Sequence, residues 1–140
     1  DNNNKDNKDS DTYHHPEHHS YTLQKRNPYD VHVYYDTPEA REQAMELRQK
    51  MQQEFPWMRF YRMRDAPIGP HPVPMFEADF AAYDYYRKWE EVRNFLVGES
   101  GDLSILIHPH STEGDYADHT RNAFWIGRVL DLKIQGWRQN

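Results

Sequence analysis

Asp30-Val31-His32-Val33-Tyr34-Tyr35-Asp36, followed at once by Thr37-Pro38-Glu39-Ala40, decides the fold of this chain, because the side-chain period changes within it. The first seven residues are largely β-branched or aromatic and read as a strand. Thr37 then offers a hydroxyl N-cap, Pro38 occupies the first helical position and Glu39 places an acid in the first turn. Ala40, Ala44, Leu47, Met51 and Phe55 recur at helical spacing until Pro56, which disfavours helical backbone in the residue before it. A strand feeding directly into a helix opens a split βαβ unit.

The rest of the chain completes that unit. Met58 to Arg64 reads as a second strand, and Ala66 to Pro74, with four prolines and Gly69, reads as an irregular turn. Met75 to Phe80 is a third strand. Tyr85, Trp89, Val92 and Leu96 mark one face of a long, charged, aromatic helix over about 82–97, closed by Gly98-Glu99-Ser100-Gly101. Leu103 to His108 is a fourth strand. The order βαββαβ predicts an α+β, ferredoxin-like sandwich with a four-stranded antiparallel sheet. A short helix from about Asp115 to Ile126 and a strand-like stretch, Leu130 to Ile134, extend it at the C-terminal side.

With 140 residues, 36% of them hydrophobic, the chain is large enough for one ordinary core. That core is assigned to a single domain over 28–140. Residues 1–27 are dominated by Asn, Asp, Lys, Ser and His and are expected to form a disordered polar tail. Its His14-His15-Pro16-Glu17-His18-His19 tract is read as incidental, loose chelation. A formal charge of -6 and a pI near 5.8 argue against nucleic acid as a partner. No apolar run reaches about 18 residues, so no membrane span is expected. The absence of cysteine excludes disulfides and iron–sulfur ligation, and a reducing cytoplasm is the default compartment. The first residue is Asp rather than Met, which raises the expectation that an upstream targeting segment has been removed.

Beyond the tail lie five histidines: His32, His71, His108, His110 and His119. Imidazole and carboxylate without thiolate form the ligand set of a hard or borderline metal. Strand alternation puts Val31, Val33, Tyr35, Phe76, Ala78, Phe80, Leu103, Ile105 and Ile107 on the face that the helices cover. The opposite face then carries His32, Tyr34, Met75, Glu77, Asp79, Ser104, Leu106 and His108. Antiparallel pairing brings His32, His108 and one of Glu77 or Asp79 toward one end of that face. Two imidazoles and a carboxylate make a facial triad for Fe(II) that leaves positions for substrate and dioxygen. The expected ligands are His32, Glu77 and His108. His71, His110 and His119 are the candidates for acid–base work, and each of them is also a potential ligand. Tyr34, Asp79 and Arg62 are candidate substrate contacts, with Arg59 and Arg64 as further guanidinium partners for a substrate carboxylate.

The blocks Asp30–Tyr35, Pro67–Pro72, Met75–Phe80, Leu103–His110, Asp118-His119-Thr120 and Trp125-Ile126-Gly127, in that order, resemble the DOPA 4,5-dioxygenase family. The resemblance runs through nearly all of the chain after the tail. It implies a ferredoxin-like fold, a homodimer, and extradiol opening of a catechol such as L-DOPA by O2 at a non-haem metal. The polar tail and the long second helix depart from more compact members. Two other readings remain: a non-catalytic, dimeric ferredoxin-like module that binds a small molecule or a partner, and a zinc-dependent hydrolase. The apolar residues Tyr34, Met75 and Leu106 on the helix-free face lead to the expectation that a second copy shields it.

Overall fold

The computed structural model describes residues 29–81 and 85–139, so the polar tail lies outside the described residues. Five strands, β1 (Tyr29–Tyr34), β2 (Arg59–Phe60), β3 (Met75–Phe80), β4 (Ser104–Pro109) and β5 (Phe124–Ile126), form one antiparallel sheet in the order β2-β3-β1-β4-β5. Helices α1 (Pro38–Glu54), α2 (Tyr85–Glu99) and α3 (Asp115–His119) are the other regular elements among the described residues. The first four strands have the ferredoxin-like arrangement, and β5 adds an edge beside β4.

Thr37 caps α1 as its position predicts, its Oγ1 accepting from Ala40 N at 3.0 Å. Ala44, Leu47 and Met51 from α1 and Val92 and Leu96 from α2 are buried against Val31, Val33, Phe76, Ala78, Phe80, Ile105 and Ile107 of the sheet. The helix-facing set read from alternation is therefore the main core.

Three elements differ from the sequence expectation. The second strand shrinks to Arg59–Phe60; Tyr61 and Arg64 still donate to Glu77 and Met75 carbonyls, but without a regular ladder. Side chains take the carbonyls of this edge: Arg48 donates to Tyr61 O at 2.8 Å and Tyr35 to Arg64 O at 2.6 Å. The helix expected over about 115–126 stops at His119, and Phe124–Ile126 instead pairs with Ile105–Ile107 of β4. A free strand edge beside aromatic and β-branched residues outweighs further helix there. Residues 130–134 form no strand; Leu130 and Leu132 pack onto the helix-free face, where Lys133 N bonds Pro70 O at 2.8 Å.

That packing removes the reason for expecting a second copy on this face. Tyr34, Met75 and Leu106 are buried by Ile68, Val73, Ala123, Trp125, Leu130 and Leu132 of the same chain. The prolines of the 67–74 turn and the segment after β5 act as a cover.

Gly127 sets the path of that cover. Its φ is +79°, and a Cβ there would stand 2.5 Å from the Leu103 carbonyl oxygen. Both the left-handed backbone and the close approach require glycine. Gly127→Ala is expected to cost roughly 1–3 kcal/mol, a fall of several degrees in melting temperature. An unchanged thermal melt by circular dichroism would show that the turn relaxes freely.

Candidate metal centre

The strand register lays three rows of side chains across the covered face. Asp79, Asp30 and His108 share one row, Glu77, His32 and Leu106 the next, and Met75, Tyr34 and Ser104 the third. Loops add the remaining imidazoles. His71 is held in the proline-rich turn by its N–H to Ile68 O at 3.1 Å, His110 follows β4, and His119 ends α3. The rings form a continuous cluster: His71 to His32 at 4.1 Å between centroids, His32 to His108 at 5.1 Å, His108 to His119 at 4.0 Å and His108 to His110 at 5.3 Å.

Hydrogen-bond partners fix where the protons sit. His108 Nδ1 is 3.0 Å from Pro109 O, His119 Nδ1 is 2.8 Å from Asp115 O, and His32 Nδ1 is 3.5 Å from Met75 Sδ. Carbonyl oxygen can only accept, so the Nδ1 atoms of His108 and His119 carry a proton there, and the Nε2 of His108 is turned toward His32. His32 Nε2 and His108 Nε2 face one another at 3.2 Å. At that distance the two nitrogens share either a ring proton or a metal cation. Burial first, together with the charges of His119 and His110, pushes His108 down to about 4 against the opposing pull of Asp30, so its ring is uncharged at neutral pH and able to act as a ligand. A divalent metal suits the spacing, since two imidazole nitrogens about 2.1 Å from one ion stand roughly 3.0–3.4 Å apart.

Asp30 supplies the adjacent carboxylate. Its Oδ2 is 3.0 Å from His110 Nε2 and 3.7 Å from His108 Nε2. Asp30, His108 and His110 converge closely enough to hold an ion, and Asp30 also converges with Glu77 and Asp79. His110 Nδ1 is buried without a hydrogen-bond partner among the described residues. A donor set of clustered imidazoles and a carboxylate fits a borderline divalent metal.

A model of the Dopa 4,5-dioxygenase family matches residues 29–136, which include all five of these histidines. The chain belongs to the Dopa 4,5-dioxygenase family. It is 35% identical over 117 residues to an uncharacterized 21.2 kDa protein of Botryotinia fuckeliana, a match covering 78% of this chain and 62% of that protein. It is 31% identical over 110 residues to a DOPA 4,5-dioxygenase of Amanita muscaria, covering 74% of this chain and 46% of that protein. The chain thus spans less than two thirds of the length of either relative. A crystal structure of a candidate dioxygenase from Nostoc punctiforme superposes with a TM-score of 0.69 at 28% identity, covering 81% of this chain and 93% of that one.

In this Dopa 4,5-dioxygenase family member the residues singled out from sequence have distinct surroundings. His32 and His108 come together. Among the described residues Glu77 groups with Asp30 and Asp79 rather than with the imidazole pair. Asp79 is engaged internally: Arg59 Nε and Nη2 each donate to it at 3.1 Å and Tyr61 OH donates at 3.2 Å. Arg62 is exposed beyond β2, so the guanidinium that meets the acidic row is that of Arg59. Tyr34 is buried with its OH 2.7 Å from His71 Nδ1. Burial pushes the Tyr34 phenol up, so it stays protonated and donates, while burial holds His71 down at about 3 and therefore neutral. His71 flanks His32, and His119 flanks His108 on the other side, with Trp137 edge-on to the His119 ring at 5.1 Å.

Two contributors were not picked out from sequence. Asp30 lies on the same alternation as His32 and Tyr34, one step earlier, and antiparallel register sets it opposite His108; extending the period-two reading by one step finds it. Asp118, 2% exposed, accepts from Ser111 N at 2.7 Å, Ser111 Oγ at 2.6 Å and Asn122 Nδ2 at 3.2 Å. It ties the loop bearing His110 to the helix bearing His119, a tertiary contact with no local sequence signal. No helix among the described residues is long and apolar enough to cross a membrane.

Proposed function

We propose that the chain is a non-haem Fe(II) dioxygenase that opens the ring of a catechol such as L-DOPA in extradiol fashion, with His32, His108 and Asp30 holding the metal. The observation that carries this reading is the approach of His32 Nε2 to His108 Nε2 at 3.2 Å, with the Asp30 carboxylate 3.7 Å from the same His108 nitrogen. Family membership supports the chemistry. Asp30 takes the place expected for Glu77 because its carboxylate oxygen is within 3.7 Å of His108 Nε2. Bound Fe(II) would supply Lewis acidity toward the two phenolic oxygens and the redox chemistry that O2 incorporation requires. One catechol and one O2 yield one ring-opened product containing both oxygen atoms, as a carbon–carbon bond beside the diphenol breaks.

The residues around the ligands handle protons and exclude water. His119 Nε2, bare because Nδ1 is bonded to Asp115 O, accepts a phenolic proton. Tyr34 holds His71 in one orientation through their 2.7 Å hydrogen bond. The cover formed by residues 67–74 and 123–132 buries the neighbouring Tyr34, Met75 and Leu106, and His32 and His108 are themselves buried, which strengthens electrostatics around them.

The decisive experiment loads the full chain anaerobically with Fe(II) and records oxygen uptake with a panel of catechols. One O2 consumed per catechol is expected; stoichiometric iron with no uptake on any catechol overturns the reading. His119→Ala should retain iron while turnover falls by about 10²-fold or more, the usual contribution of a general acid–base. Loss of iron in that variant would make His119 a ligand instead.

A further inference from the structure

We infer that Arg59 is a positioning residue for the metal centre: it holds the Asp79 carboxylate away from the ion, so that Asp30 serves as the carboxylate ligand and positions stay open for the catechol oxygens and O2. The inference rests on the metal reading above. It begins from the place of Asp30, whose carboxylate belongs to two groups at once. It converges with His108 and His110, and also with Glu77 and Asp79, the ligand atoms of each group lying within 4.8 Å of one another. Asp79 of β3 is the cross-strand partner of Asp30, and Arg59 of β2 is the cross-strand partner of Asp79.

A carboxylate this close to a ligand carboxylate competes for the same cation, since added charged oxygens tighten binding and fill coordination positions. Arg59 engages both oxygens of Asp79: Nε donates to Oδ1 and Nη2 to Oδ2, each at 3.1 Å, the fork pairing that fixes direction as well as charge. Tyr61 OH adds a bond to Oδ2 at 3.2 Å, and the Arg59 guanidinium lies 5.5 Å from the centre of the Tyr61 ring. The Asp79 side chain is 6% exposed, so water screens this pair little. Removing the guanidinium has two effects of one sign. It takes a positive charge from the neighbourhood of the ion, and it frees a second carboxylate beside Asp30. Metal affinity therefore rises while open positions are lost. Damage to the fold would lower affinity and turnover together.

The test compares Arg59→Met, Asp79→Asn and the double variant in the full chain, by Co(II) titration with its visible absorption and by oxygen uptake of Fe(II)-loaded samples. Arg59→Met should bind Co(II) about 10-fold more tightly, the order expected of one unit charge nearby. Its Co(II) absorption should weaken, as it does when coordination number rises, and oxygen uptake should fall by about 10-fold or more. Asp79→Asn, which leaves the guanidinium uncompensated near the ion, should bind Co(II) more weakly than wild type. The double variant removes both charges and should return to wild-type affinity. Unchanged or weaker Co(II) binding by folded Arg59→Met overturns the role of Arg59 while leaving the metal site intact. Should Arg59→Met fail to fold, the other two variants decide: weaker binding by Asp79→Asn with recovery in the double variant supports the role, and equal affinity in both overturns it. Wild-type protein that takes up no Co(II) overturns the metal reading itself, and the role of Arg59 with it.

Discussion

His108→Ala is expected to bring metal occupancy to background and to lower catechol-dependent oxygen uptake by more than about 100-fold, exceeding the loss caused by disturbing an outer partner. His108 Nε2 stands between His32 Nε2 at 3.2 Å and Asp30 Oδ2 at 3.7 Å, so its removal separates the imidazole pair and the carboxylate in one step. The ring is 2% exposed, and alanine leaves a cavity against His119 and His110. His108→Gln, which keeps most of the volume, separates ligand loss from collapse. Folded His108→Gln protein without bound iron supports the assignment. The parallel variant His32→Ala should lose iron as well. Should both alanine variants keep full iron occupancy and oxygen uptake, the centre must be rebuilt around His71, His110 and His119.

Metal-free protein is expected to lose stability steeply in mild acid. In the folded chain burial is the leading cause that holds His71 at about 3 and His108 at about 4, against an ordinary histidine value near 6.5. Between those limits the unfolded chain binds more protons than the folded one, so stability rises with pH. The contribution is complete above about pH 6.5 and is lost as pH falls toward 4 and then 3. Each histidine is worth on the order of 3 kcal/mol or more at neutral pH, converting its depression at about 1.4 kcal/mol per pH unit. Urea unfolding from pH 7.5 to 4 with a chelator present measures the slope, and His71→Gln should flatten it. A stability independent of pH over that interval would mean that these rings are open to solvent in the metal-free chain.

How much of this was legible beforehand follows from the range of each interaction. The β1–α1 junction, the four ferredoxin-like strands and both long helices rest on period and capping, which act over a few residues. Val31, Val33, Phe76, Ala78, Ile105 and Ile107 accordingly have the burial that alternation assigns them. The same alternation set His32 and His108 on one face. Residues 120–134 depart from the sequence expectation, because they have no strong period of their own. Phe124–Ile126 becomes a strand by meeting the open edge of β4, and Leu130 and Leu132 become a cover by meeting Tyr34, Met75 and Leu106.

Sequence alone determined the fold class, the family resemblance and the stock of five imidazoles without competing thiolate, since each is written in local pattern or composition. Tertiary structure decided the rest: that Asp30 is the carboxylate nearest the His108 nitrogen, that Asp79 is bound by Arg59, and that the supposed open face is closed by its own chain. Alternation specifies which side of a sheet a residue faces. The distance between side-chain atoms, and the partner that fixes each ring proton, depend on register and loop packing between residues as far apart as His32 and His108.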